Sequence, residues 1–137
     1  MIEFIIRAKG NPKISARDPQ KIVITKGKEV FDDSVIAVEA SAAAADLPDD
    51  FKTAIRDRKK LSLTIGTAGN EDVIFAFGSF EAKVTDKNNI VVTKSDFIDN
   101  ATIGVRSNKA ASDLLRELVA LLQTDNQEIT ILLQVTE

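Results

Sequence analysis

Ser107-Asn108-Lys109-Ala110-Ala111-Ser112-Asp113-Leu114 repeats the pattern of Ala40-Ser41-Ala42-Ala43-Ala44-Ala45-Asp46-Leu47 at a distance of 67 positions. The match extends outward in both directions. At an offset of 68, Gly10 meets Gly78, Asp18 meets Asp86, and Ile22-Val23 with Thr25-Lys26 meets Ile90-Val91 with Thr93-Lys94. After the loss of one residue in the next loop, Asp32, Ile36, Val38, Asp46 and Leu47 meet Asp99, Ile103, Val105, Asp113 and Leu114. Order and spacing agree together, so the chain reads as two copies of one unit, residues 1–67 and 70–137. A unit of that size with one helix buries too little apolar surface to stand alone. The expectation is therefore a single domain over residues 1–137, in which both copies share one core about an approximate two-fold axis.

Hydrophobic periodicity gives the elements of each copy. Ile2, Phe4, Ile6 and Ala8 alternate with Glu3, Ile5, Arg7 and Lys9, the period of a strand with one buried face. Gly10-Asn11-Pro12 stops it, residues 13–17 read as a short second strand, the β-branched run Ile22-Val23-Ile24-Thr25 as a third, and residues 34–38 as a fourth. A short Ala-rich turn over residues 42–46 precedes a helix beginning at Pro48, which suits a first helical turn and cannot lie deeper. Leu47, Phe51 and Ile55 form the inward stripe of that helix, and a last strand carries Leu61, Leu63 and Ile65. Thr67-Ala68-Gly69-Asn70 is a turn-rich joint. The second copy repeats the order, with strands over residues 72–77, 81–85, 90–94 and 102–106. Its helix is expected to be capped by Ser107 or Asn108 and to bury Ala111, Leu114, Leu115, Leu118, Leu121 and Leu122, before a closing strand with Ile129, Ile131, Leu133 and Val135. The expected fold is α+β and strand-dominated, ββββαβ twice, closing as a β-sandwich or a distorted barrel that carries two helices.

Composition removes several chemistries. With no His and no Cys, imidazole–thiolate zinc sites, Ser-His and Cys-His nucleophile pairs and disulfides are closed. A net charge of −3 gives no global pull on phosphates, so nucleic acid ranks last among partners. No apolar run reaches the length of a membrane span, and the start Met1-Ile2-Glu3-Phe4-Ile5-Ile6-Arg7 lacks the pattern of a secretory signal. A cytoplasmic, non-membrane protein is expected.

Val91-Val92-Thr93-Lys94-Ser95-Asp96-Phe97, followed by Arg106 to Leu118, resembles the archaeal domain-of-unknown-function family 371. The first copy agrees in register at Gly10-Asn11-Pro12, Ile24-Thr25-Lys26, Asp33 to Val38 and Ala45-Asp46-Leu47. The resemblance covers nearly the whole chain and implies an archaeal, strand-rich protein with no established biochemical role. It also implies, in each half, a Gly-His-Pro turn and a second His further on. Here those places hold Asn11, Asp18, Ser79 and Asp86, and Phe80 replaces the second Pro. Ser34 and Asp99 stand at Cys-like places. No imidazole or thiolate site carries over.

What remains is carboxylate chemistry. Asp18 and Asp86 occupy equivalent turns and would converge if the two-fold axis brought the turns together. With Asn11 and Ser79 they would offer oxygen and amide ligands suited to Mg²⁺ or Ca²⁺. The plainer use of an Asp at a turn is to bond its own backbone. Asp46 and Asp113 also correspond. Asp113 lies off the apolar helix face, with Lys109 four residues before it and Arg116 three after it as surface ion-pair partners. Arg56-Asp57-Arg58-Lys59-Lys60 is the one basic cluster, and in the linear sequence no aromatic residue interleaves with it to stack on bases. Gly-rich phosphate loops do not occur. The sequence therefore favours a non-catalytic binding or protein-interaction module, with a protein partner or a second copy of the chain as occupant and no cofactor. The alternative is an enzyme using Asp18, Asp86, Asp46 and Asp113, with Mg²⁺ or Ca²⁺, between the two copies.

Overall fold

The computed structural model describes residues 1–135; Thr136 and Glu137, at the end of the expected second copy, lie outside the described residues. The described chain runs β1 (Ile2–Lys9), β2 (Lys21–Thr25), β3 (Val35–Ala37), α1 (Asp49–Arg56), β4 (Lys60–Thr67), β5 (Asn70–Phe77), β6 (Asn89–Thr93), β7 (Thr102–Gly104), α2 (Arg116–Leu122) and β8 (Glu128–Val135). Short 3₁₀ turns over Ala44–Asp46 and Ala111–Asp113 precede the helices. The expected α+β, strand-dominated class holds.

Two four-stranded sheets form, in the orders β1-β8-β4-β5 and β3-β2-β6-β7. They remain two open sheets and do not close into the expected barrel alternative. The first sheet is antiparallel throughout: β1 lies on β8 with Ile2 opposite Val135, β8 on β4 with Leu132 opposite Thr64, and β4 on β5 with Thr67 opposite Asn70. In the second, β2 and β6 pair antiparallel about Val23 opposite Val91, and each takes a short parallel strand on its outer side. The β4–β5 joint is a two-residue hairpin in which Ala68 (φ 48°) and Gly69 (φ 82°) both take the left-handed conformation, as such turns require.

Alternation decides what is buried. Ile6, Ile131 and Ile65 align across the first sheet on its inner face, as do Phe4, Leu133, Leu63 and Ile74. They join Phe51 and Ile55 of α1 and Leu118 and Leu122 of α2 in one apolar cluster drawn from both halves of the chain. No helix among the described residues is long and apolar enough to cross a membrane.

One expectation fails in each half, and a second fails in the second half alone. Residues 13–17 and 81–85 are not strands. Ala16 (φ 50°) and Val84 (φ 56°) take left-handed backbone, strained for a β-branched residue such as Val84. The amides that follow them are tied down: Arg17 and Asp18 donate to the Asp33 carbonyl, Thr85 and Asp86 to that of Asn100. Each segment crosses the core as irregular chain, burying Ile14 and Ala16 or Ala82 and Val84. The second helix also begins later than expected, at Arg116. Leu114 (ψ 145°) and Leu115 (ψ 129°) are extended, so Leu115 turns out to solvent and Val119 takes its place in the core. Neither expected cap serves the helix. Ser107 Oγ accepts from the Lys109 amide at 3.2 Å, and Asn108 bonds β5.

Gly10 and Gly78 follow the first strand of each half and press against the C-terminal ends of α2 and α1. A Cβ on Gly78 would lie 2.1 Å from the Ile55 carbonyl oxygen, and one on Gly10 2.5 Å from that of Thr124. Gly66, in β4, leaves 3.8 Å to its nearest neighbour. We expect Gly78→Ala to cost about 1–3 kcal/mol through overpacking and Gly66→Ala to stay within about 0.5 kcal/mol of the parent, both read from urea unfolding midpoints.

Candidate functional site

Asp18 and Asp86 each close an Asx turn at the start of a strand. Asp18 Oδ1 accepts from the Gln20 and Lys21 amides (2.8 and 3.0 Å) and Asp86 Oδ1 from those of Asn88 and Asn89 (2.8 and 2.7 Å). Asn11 Oδ1 and Ser79 Oγ accept in the same way from Lys13 and Glu81. The structure does not bring Asp18 and Asp86 together. In the β2–β6 pair Lys21 lies opposite Thr93 and Thr25 opposite Asn89, which puts the two turns at opposite ends, about 13 Å apart at the rise of a strand.

Each turn instead meets the other half's 3₁₀ turn. The Asp18 carbonyl accepts from Ser112 at 3.0 Å and the Asp86 carbonyl from Ala45 at 2.9 Å. Asp18 therefore neighbours Asp113, and Asp86 neighbours Asp46. Asp46 accepts from the Ala43 amide at 2.9 Å and pairs with Lys26 at 2.7 Å; Asp113 accepts from Ala110 at 2.9 Å and pairs with Lys94 at 2.7 Å. The ammonium hydrogen bond first, and the backbone amide second, hold both carboxyls below the ordinary 3.8. These bonds pin the 3₁₀ turn to the end of β2 or β6. Among the described residues no three acidic side chains gather as a metal site.

Neither partner expected from spacing makes a salt bridge with Asp113, although the Lys109 charge helps to lower its carboxyl. Arg116 donates to the carbonyls of Leu114, Ala111, Ser112 and Ala16. Lys109 reaches Asp72 at 2.6 Å. Asp72 sits on the inner face of β5 at the end of the isoleucine row, opposite Ile65. It also accepts from the Val73 amide (2.9 Å) and the Leu115 amide (3.0 Å). A buried carboxylate with three donors is fully engaged, and it anchors the chain entering α2.

A surface of a different kind lies on the outer face of β5. Phe75, Phe77 and Phe80 are 42%, 37% and 63% exposed. Each has a cation over its ring: Lys60 Nζ 4.7 Å from the Phe75 centroid, Arg106 Cζ 5.3 Å from Phe77 and Arg58 Cζ 4.9 Å from Phe80. The β4–β5 register places Lys60 opposite Phe77, which is how strand pairing delivers to the basic cluster the aromatic residues that its own neighbourhood in sequence lacks. Beside them a cleft of about 250 Å³ is lined by Arg58, Ser79, Phe80, Glu81, Asp96 and Arg106. Phe97, 71% exposed, projects from the same turn as Asp96. Of the expected oxygen and amide ligands Ser79 lies on this cleft, and Arg58 of the basic cluster lines it too. Arg56 is structural, donating to the Ala82 and Lys83 carbonyls at 3.1 and 2.9 Å and so fixing the loop that carries Phe80.

The outward edge of β5 is closed at these residues. The Phe75 amide donates to Asn108 Oδ1 and its carbonyl accepts from the Asn108 amide, while Phe77 exchanges both bonds with Val105. A partner therefore meets side chains here, not an open strand edge.

A family model described as a domain of unknown function (DUF371) matches residues 6–136. An uncharacterized protein of the archaeon Methanocaldococcus jannaschii is 30% identical over 130 residues, which cover 93% of this chain and 96% of that one.

The lowered carboxyls fix a pH dependence. A carboxyl held below 3.8 in the folded state stabilises the fold above that value and loses the contribution as pH falls through its folded value. We expect Asp46→Asn with Asp113→Asn to be less stable than the parent at pH 7, by at most about 1 kcal/mol per site because the pairs are half-exposed. The gap should close below 3.8, as followed by urea unfolding across pH.

Proposed function

The chain belongs to the DUF371 family, a family described without an activity, and from that premise we propose that it is a non-catalytic binding module acting through the outer face of β5 and the cleft beside Phe80. The observation that carries this reading is the set of three part-exposed phenylalanines, each lying under a cation. Aromatic side chains normally go inward, and here they are exposed together with the guanidinium and ammonium groups of Arg106, Arg58 and Lys60. The carboxylate alternative draws no comparable support, because Asp18, Asp86, Asp46 and Asp113 are each engaged by backbone amides or a lysine.

The module is proposed to be one domain built from a duplicated unit about an approximate two-fold axis. Three sets of observations support this. Equivalent residues Val23 and Val91 face each other at the centre of β2–β6, as do Thr64 and Leu132 in β4–β8. The isolated bridges Lys9–Val38 and Phe77–Val105 correspond. Left-handed residues recur at matching places: Ala16 and Val84, Glu39 and Arg106, Arg58 and Asn126. On this view the aromatic surface is where the copies diverge. The surface around β1 has Arg7, Lys9, Glu39 and Glu128 where the equivalent surface around β5 has Phe75, Phe77, Arg106 and Lys60, so among the described residues only the β5 side carries the aromatic set.

Any native-state ligand raises the melting midpoint by mass action. In a thermal-shift screen of metabolites, nucleotides and divalent cations, we expect the stabilising compounds to lose their effect on Phe80→Ala with Arg106→Ala and to keep it on Asp18→Asn with Asp86→Asn. Stabilisation that requires a divalent cation and disappears in the Asp variant would carry the enzyme reading instead.

A further inference from the structure

Resting on the binding surface just proposed, we infer that its ligand is single-stranded nucleic acid, with bases stacked on Phe75, Phe77 and Phe80 and phosphates met by Arg58, Lys60 and Arg106. Proteins that hold single strands combine exposed aromatic platforms with a flanking cationic track, and arginine planes extend the stack. The β5 face has both parts in register. Phe75 and Phe77 are same-face neighbours on one strand, so their side chains leave the backbone about 6.7 Å apart. That is twice the ~3.4 Å step of a stacked duplex strand, a spacing that suits splayed bases and not a paired helix. Phe80 continues the line past Gly78, whose amide is held by the Lys59 carbonyl at 2.9 Å.

The cleft fits the same occupant. At about 250 Å³ it lies below the range of drug-sized pockets and suits one planar ring. Its carboxylates, Glu81 and Asp96, would repel a bare polyanion, yet they are acceptors for the exocyclic amines of cytosine, adenine and guanine. An acidic peptide brings its own carboxylates to that wall and no regular run of flat rings, so the mixed wall favours nucleic acid over acidic protein. The net charge of −3 ranks nucleic acid last on global electrostatics. The pairing of β4 with β5 gathers the cations locally and leaves stacking as the larger contribution.

The test measures fluorescence anisotropy of labelled single-stranded 12-nucleotide RNA and DNA of mixed sequence, a duplex of the same length, and polyglutamate, with the full chain at several salt concentrations. We expect the single strands to bind at least tenfold more tightly than the duplex or polyglutamate. With up to about three phosphate contacts, log K should fall against log salt with a slope no steeper than about −2. Phe77→Ala and Phe80→Ala should each weaken binding about 5- to 100-fold, Phe80→Trp should restore it, and Arg106→Ala should make the slope shallower by about 0.7. The replaced rings are partly exposed, and an unchanged melting midpoint confirms that each variant is folded. Equal binding of duplex or polyglutamate, single-strand binding that is indifferent to both phenylalanines, or no binding at 50 mM salt would each overturn the inference. If oligonucleotides do not bind but a compound from the thermal-shift screen still depends on Phe80 and Arg106, nucleic acid is eliminated while the binding surface stands. Oligonucleotide binding that persists in the Phe77→Ala, Phe80→Ala, Arg106→Ala triple variant eliminates this surface as its site.

Discussion

Strand β1 has its hydrogen-bond partner in β8, at the far end of the chain, with Ile2 opposite Val135. Everything else in the molecule depends on that long-range pairing. In the first sheet β8 stands between β1 and β4, and β4 stands between β8 and β5. Each half thus supplies an inner strand to the other's outer strand. The apolar row Phe4, Leu133, Leu63 and Ile74 exists only when both halves are present. Such pairing orders a long chain before its contacts form, so the fold is entropically costly to nucleate and mutually supporting once assembled.

From this interlock follow the placements that matter for function. The β4–β5 hairpin sets Lys60 opposite Phe77, and the bridge from Phe77 to Val105 brings Arg106 over the same ring. Arg58, in left-handed backbone between α1 and β4, is carried to Phe80. The ends of β2 and β6 hold quite different groups. There Lys26 with Asp46 and Lys94 with Asp113 fasten the 3₁₀ turns, and the Asx turns of Asp86 and Asp18 cross to the opposite half. The paired aspartates are joints of the scaffold, and the exposed aromatic residues, each under a cation, form the proposed binding face.

Much of the scaffold was legible in the sequence because it obeys simple periods. Pro48 marks the helix start, Leu47, Phe51 and Ile55 its buried stripe, and Ala68-Gly69 the hairpin. Local rules were insufficient where tertiary contacts intervene. Ile14 and Val84 look like strand residues, but carbonyls from distant loops hold their segments in left-handed kinks. Asn108 looks like a helix cap but serves the edge of β5. The run Asp72 to Phe77 is apolar on both faces apart from Asp72 itself, so alternation alone could not say that Phe75 and Phe77 face out. Only the position of Asp72, turned inward to Lys109 and the Leu115 amide, fixes that phase. The aromatic neighbours of the basic cluster were hidden for the same reason, being adjacent across a strand pair and not along the chain.

The interlock of the two halves is tested most directly by producing residues 1–68 and 69–137 as separate fragments and recording amide NMR spectra of each alone, as monomers at low concentration, and of an equimolar mixture. Interlocked halves should give poorly dispersed spectra for each fragment alone and the spectrum of the intact protein on mixing. A monomeric fragment that gives a dispersed spectrum and unfolds cooperatively by itself would contradict the interlock.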